Sequence, residues 1–174
     1  MEGGTGMPLF LPKEMAKHVT DLSPKFFVSR GVKAVVLDVD NTLTTHGNPV
    51  PAQGVPEWIS QMQAAGLCLT ILSNNYRERV EPFARKLGLD FISMACKPLT
   101  FGLTRACRRY GLKPRQVCLI GDQIFTDIVG GNLKGVLTVL VEPYELEHKW
   151  SFRLKRRLER PIIRRYRQKK GESL

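Results

Sequence analysis

The chain has 174 residues, 43% hydrophobic and 25% charged, which suits one compact globular domain with an unaided core. Its net charge of +11 is uneven: residues 1–147 carry 16 Lys/Arg against 14 Asp/Glu, and residues 148–174 carry 11 against 2. No apolar run nears the roughly 20 residues of a membrane-spanning helix. Cys68, Cys96, Cys107 and Cys118 lack zinc-ribbon or redox spacing, and His18, His46 and His148 form no helical metal pair.

In chain order, the first residues hold only the brief apolar patch Pro8–Pro12 with no basic segment before it, so no secretion signal is expected. Four reduced thiols follow from that, with Cys68 and Cys118 as small core residues. Residues 13–30 read as short helices, with Ser23-Pro24 as a start and Gly31 as a stop. Val32–Leu37 is a β-branched apolar run, the pattern of a buried parallel strand. Residues 54–65 read as a helix with Trp58, Ile59, Met62 and Ala65 on one stripe and Gly66 closing it. Leu67–Leu72 is a second strand, 78–87 a helix stopping at Gly88, and Phe91–Met94 a third strand. A helix over 100–110 turns Phe101, Leu103, Ala106, Cys107 and Tyr110 mostly inward. Val117–Ile120 is a fourth strand, and a short helix with Gly130-Gly131 leads to a fifth, Val136–Val141.

Alternating strands and helices predict an α/β fold: a Rossmann-like three-layer sandwich with a mostly parallel five-stranded sheet. Ligands of such sheets bind at the carboxyl ends of the strands. Polar residues gather there: Asp38-Val39-Asp40-Asn41-Thr42 after the first strand, Ser73-Asn74-Asn75 after the second, Lys97 after the third, and Gly121-Asp122-Gln123-Ile124-Phe125-Thr126-Asp127 after the fourth. Alone, each has a blander reading: a capped turn for the aspartates, a helix N-cap for Ser73, a solvated lysine for Lys97. Four in order, each just past a strand end, favour a shared site.

These four motifs resemble those of the haloacid dehalogenase superfamily, over about residues 32–142 and in its subclass IIIA form: D-x-D-x-T, S-N, K-P and G-D-x-x-T/x-D. More narrowly, L-D-V-D-N-T-L, I-L-S-N-N, C-K-P and G-D-Q-I-F-T-D are similar to the bacterial YqeG family, related to phosphatidylglycerophosphate phosphatases. The resemblance implies a Mg²⁺-dependent phosphomonoesterase. Asp38 would be the nucleophile and Asp40 the general acid and base. Asp38, the Asp40 carbonyl and Asp122 would be metal ligands. Ser73, Asn74 and Lys97 would hold phosphate. Thr42 would shape the loop, and Asp127 would orient Lys97 or a metal-bound water.

Thirty residues separate Thr42 from Ser73 and 23 separate Ser73 from Lys97, so no cap domain is expected and the site should be open. The organisation expected is a helical lead-in (1–31), a catalytic domain (32–147) and a basic amphipathic tail (148–174). In the tail Trp150, Leu154, Leu158, Ile162 and Tyr166 recur every four residues among cations, and Pro161 should split any helix. Three readings stand for it: a solvated tail docked on the domain, an interfacial segment on anionic lipid, or an RNA contact. The substrate expected from the resemblance is phosphatidylglycerophosphate at a membrane surface, for a cytoplasmic protein peripheral to the membrane. Nucleic-acid ends, phosphoproteins, or a non-catalytic ribosome or RNA role on the same scaffold are the alternatives.

Overall fold

The fold is seen in a computed structural model that describes residues 9–145 and 150–170, with only the backbone at 150–156 and 169. Readings that rest on residues 1–8, on His148, or on the side chains of Trp150 and Leu154 lie outside the described residues. Six strands form one sheet: β1 (Glu14–Ala16), β2 (Ala34–Leu37), β3 (Cys68–Leu72), β4 (Asp90–Ile92), β5 (Val117–Gly121) and β6 (Leu137–Val141). Their order is β1-β6-β5-β2-β3-β4, and every pairing is parallel. The chain runs outward from β2 to β4, then returns to β5 on the other side of β2. That reversal sets the carboxyl ends of β2 and β5 side by side, where doubly wound sheets bind their ligands.

The sixth strand differs from the five expected. β1 falls where short helices were predicted, because a three-residue edge strand leaves no readable period. It forms by pairing Glu14 with Val139 and Ala16 with Val141, and the Lys13 N–H bonds Thr138 O at 3.1 Å. Helix is confined there to a 3₁₀ turn at Val19–Asp21 and to α1 (Pro24–Val28).

Strand residues alternate between faces, as the two-residue period requires. Val35, Leu37, Leu69, Ile71, Cys118 and Ile120 meet Phe27 of α1, Trp58 and Met62 of α2 (Val55–Ala64), and Phe83 of α3 (Arg77–Lys86). Ala34, Val36, Leu72 and Leu119 meet Leu103, Ala106 and Cys107 of α4 (Phe101–Tyr110) on the other face. Three single-residue expectations fail here. Ala65 is exposed at the end of α2, Cys68 is exposed at the start of β3, and Phe101 is 71% exposed at the start of α4. All three stand at element ends, where the apolar stripe runs past the packed layer. Met94, expected to end the third strand, lies beyond β4 in left-handed backbone with φ of 48°.

Gly130-Gly131 lies inside α5 (Val129–Lys134), the short helix before β6. Their lack of side chains permits close approach: a Cβ on Gly131 would overlap the Thr138 methyl, and one on Gly130 would press on the Pro98 backbone at 3.0 Å. The last element, α6 (Trp150–Lys170), is one helix through Pro161 rather than two. Glu159 and Tyr166 are buried, and Ile162 and Ile163 pack near Ile124, Ile128 and Leu140. This face follows the i, i+3, i+4, i+7 spacing of an amphipathic helix. It is not the four-residue series read from the sequence, since Leu158 is 54% exposed. No described helix is long and apolar enough to cross a membrane.

Gly131→Ala is expected to lower stability by about 1–3 kcal/mol, the usual cost of forcing an atom into a packed interior. Urea unfolding of the two proteins measures it.

Candidate active site

Each predicted site residue emerges from a strand end. Asp38 follows β2, and its N–H bonds Ile120 O of β5 at 3.0 Å, which carries the strand pairing one residue past Leu37. Ser73 follows β3, and its N–H bonds Ile92 O at 3.0 Å. Asp122 follows β5. Beyond it, a single π-helical turn (Ile124–Ile128) carries Asp127 and runs directly into α5. Such turns recur at functional sites.

Lys97 lies at the centre of the site. Its Nζ donates to Asp38 Oδ1 at 2.5 Å and to Asp127 Oδ1 at 2.7 Å, and all three residues are buried. Its backbone is held by Asn74, whose Oδ1 accepts from Lys97 N at 2.7 Å and whose Nδ2 donates to Lys97 O at 3.0 Å. That amide thus acts as a strand partner for the lysine, and Asn74 also lines the cavity beside Asp38 and Ser73. Asp127 also accepts from Gln123 N at 3.2 Å through Oδ2. Gly121 is required beside it, because a Cβ there would overlap the Asp127 carboxyl.

Oxygens of Asp38, Asp122 and Asp127 lie within 4.8 Å of one another, all three residues buried. Three carboxylates gather there around the Lys97 ammonium. The donors are hard oxygens, the set that Mg²⁺ prefers over softer metals. The residues present therefore fit a divalent cation. Burial pushes the Asp38 carboxyl up to about 7; Lys97 works against this, and Asp127 and Asp40 add to it. Burial disfavours the charge on Lys97, but Asp127 and Asp38 outweigh it and its ammonium is held well above the usual range.

Asp40 stands apart from that cluster. Its Oδ2 accepts from Asn75 Nδ2 at 2.7 Å, and its Oδ1 accepts from Gly47 N at 2.8 Å and Arg79 Nη2 at 3.2 Å. Arg79 also donates to Asn48 O at 3.2 Å, tying α3 to the loop after Thr42. Ser73 is buried, and its Oγ accepts from Asn75 N at 3.2 Å. Thr42 is buried with its N–H on Val39 O at 3.2 Å, and its Oγ1 has no hydrogen-bond partner among the described residues. Asn41, left-handed at φ of 60°, accepts from Glu145 N at 3.3 Å. Asn and Asp are the non-glycine residues that reach this region most readily.

A cavity of about 210 Å³ opens among Asp38, Asp40, Ser73, Lys97, His46 and Thr126. Larger hollows lie at the opposite ends of the strands around Cys68 and Tyr110, and on α3 around Glu78, Pro82 and Arg85, away from the carboxylate cluster. The smaller one is therefore the candidate site. Arg79, Asn75 and His46 were not predicted as part of it. Arg79 lies in the charged run Arg77-Glu78-Arg79, where nothing distinguishes it from a solvated helix arginine.

A family profile for haloacid dehalogenase-like hydrolases matches residues 46–133. The chain belongs to that family. It is 38% identical over 154 residues to the "Probable phosphatase YqeG" of Bacillus subtilis (strain 168), a match covering 88% of this chain and 90% of that one. It is 27% identical to the chloroplastic/mitochondrial phosphatidylglycerophosphate phosphatase 1 of Arabidopsis thaliana, covering 90% of this chain but 48% of that longer protein. A crystal structure of an uncharacterized protein from Listeria monocytogenes serotype 4b shares the fold, with a TM-score of 0.56 at 16% identity over 68% of this chain and 85% of that one. The chain is thus a hydrolase on the family's phosphatase branch. As expected for such an uncapped member, no separate domain is inserted among the described residues between Thr42 and Lys97.

The charge balance has a pH signature. The unfolded chain releases the Asp38 proton near 3.8, whereas the folded metal-free site keeps it to about 7. Its contribution to stability is full below the lower value and is lost as pH rises through the upper one. A divalent cation competes with that proton, so the melting-temperature gain on adding MgCl₂ should be larger at about pH 8 than at about pH 5.5. Thermal unfolding at the two pH values, with and without the salt, tests this.

Proposed function

We propose that this hydrolase cleaves phosphate monoesters through an aspartyl-phosphate on Asp38, with Mg²⁺ held by the Asp38 and Asp122 carboxylates and the Asp40 carbonyl. The observation that carries this is the separation of two aspartates: Asp38 lies with Lys97 in the buried cluster, and Asp40 is held apart by Asn75, Gly47 and Arg79.

Bound Mg²⁺ would supply positive charge to the phosphoryl oxygens. Asp38 attacks phosphorus in line. One Asp38 O–P bond forms as the bond to the leaving oxygen breaks, and Asp40 in its acid form gives that oxygen its proton. Asp40, now a carboxylate, takes a proton from the water that attacks the phosphoenzyme. Asp38 is freed and inorganic phosphate departs. Lys97 holds an Asp38 oxygen and offsets the charge brought by the phosphate. Ser73 and the backbone N–H of Asn74 hold phosphoryl oxygens. Asp127, whose two oxygens already accept from Lys97 and Gln123, serves to anchor the lysine.

The substrate class we infer is a phosphorylated lipid headgroup at an anionic surface, phosphatidylglycerophosphate above all. Large apolar side chains support this: Tyr76, Met94, Leu99 and Phe101 are all more than half exposed on the segments that follow Ser73 and flank Lys97. Exposed apolar side chains of this size suit contact with the apolar part of a lipid surface. Arg157, Arg160 and Arg164 on the outer face of α6 add cations suited to anionic lipid.

Phosphate release should depend on Mg²⁺, and Asp38→Asn should remove it. Asp40→Asn should lower it by about 10²–10⁴-fold, the usual contribution of a general acid and base. A panel of phosphatidylglycerophosphate, soluble esters, phosphopeptides and nucleic-acid ends, read as released phosphate, ranks the substrates. Preference for peptides or nucleic-acid ends would displace the lipid reading.

The rim has its own test. Tyr76→Asp with Phe101→Asp should slow hydrolysis of phosphatidylglycerophosphate in anionic vesicles and leave a soluble ester untouched. Equal rates for the variant on vesicles would remove the rim from the reading.

A further inference from the structure

One buried carboxylate has no place in that chemistry. Glu159 lies in α6, in the most basic part of the chain, yet it is only 2% exposed. Its Oε1 accepts from the Ile124 N–H at 2.8 Å, across 35 residues of sequence. Ile124 is fully buried and stands two residues beyond Asp122, at the first position of the π turn.

That position matters for the backbone. The first N–H groups of a helix have no acceptor within it. Here two consecutive ones are taken by carboxylates from elsewhere: Gln123 N–H by Asp127 Oδ2 and Ile124 N–H by Glu159 Oε1. Asp122 is the residue just before them. The loop that aims Asp122 at Asp38 is therefore fixed from inside by Asp127 and from outside by α6. The rest of the helix face is apolar packing, Ile162 and Ile163 near Ile124, Ile128 and Leu140. Glu159 adds a hydrogen bond from α6 to this loop.

We propose that Glu159 is a positioning residue for the divalent-metal site, so that seating of the C-terminal helix is a condition for Asp122 to stand in register with Asp38. The basic tail is then part of the active-site architecture as well as a surface element. Its outer face carries cations, its inner face carries the acceptor that holds the metal loop, and both lie on one rigid helix. Removing the tail should disturb the site even toward a small soluble ester.

The inference rests on the metal reading above, and the experiment separates the two. Mn²⁺ binding to the full-length protein, followed by the loss of its free-ion electron paramagnetic resonance signal, needs no turnover. Glu159→Gln keeps an acceptor oxygen at the same reach. Glu159→Asp keeps the charge but withdraws the acceptor by one methylene. Glu159→Ala removes it.

Gln should bind Mn²⁺ within about threefold of the wild type, and Asp and Ala about tenfold or more weakly, the scale usual for groups that orient metal ligands. The Mg²⁺ concentration for half-maximal hydrolysis should move in the same order. A purely structural carboxylate predicts no such order, and if Ala fails to fold, the Gln–Asp contrast still decides. Asp and Gln both binding like the wild type would overturn the proposal. So would Asp binding well and Gln poorly, since charge rather than the hydrogen bond would then be at work. A wild type that binds no Mn²⁺ would instead overturn the metal reading itself, and this proposal with it.

Discussion

A buried ammonium shared by two carboxylates organises the catalytic end of this protein. Lys97 Nζ bridges Asp38 and Asp127, and all three residues are nearly sealed from water. Buried ions cost several kcal/mol each unless they are paired and well bonded. The bridge meets that cost for one carboxylate, and Asp122 brings a third acid into the cluster. A cluster so rich in acid is receptive to a divalent cation and a proton, and burial above all keeps the Asp38 carboxyl high. A cation held there would, in the proposed mechanism, also meet the charge of the phosphate, itself an anion.

The surrounding structure is arranged to hold that bridge. Asn74 spends its side chain on the backbone of Lys97, so the lysine approaches from a fixed direction. Gly121 leaves the space that the Asp127 carboxyl fills. Gly130, by lacking a side chain, lets α5 close on Pro98, one residue beyond the lysine. These contacts link the ends of β3, β4 and β5 into one unit. Asp40 belongs to a second unit, made by Asn75, Gly47 and Arg79. In the proposed mechanism one aspartate serves the phosphorus and the other the proton, and the two units keep them apart.

Much of this was legible in the chain. The runs Val32–Leu37, Leu67–Leu72 and Val117–Ile120 are apolar on both faces because both faces are covered, and they read as buried strands for that reason. What escaped had no local signal. β1 is three residues long and is a strand only because β6 lies beside it. Pro161 argues for a broken helix from backbone chemistry, yet the docked face of α6 runs on through it. Arg79 and Glu159 look like surface charges among other charges.

The order of motifs along the chain therefore determined the family, the parallel sheet, and the presence of Asp38, Asp40, Ser73, Lys97 and Asp122 at strand ends. The sheet and the strand ends follow from period and spacing, which are properties of neighbouring residues, and the family from the resemblance of the motifs themselves. Only the tertiary structure decided how those residues divide their work: Asp127 bound to the lysine, Asn74 to its backbone, Asp40 to Arg79, and Glu159 to the loop after Asp122. Each of those is a contact across 23 to 39 residues. Such a contact depends on where the sheet brings two loops together, and no local pattern encodes it.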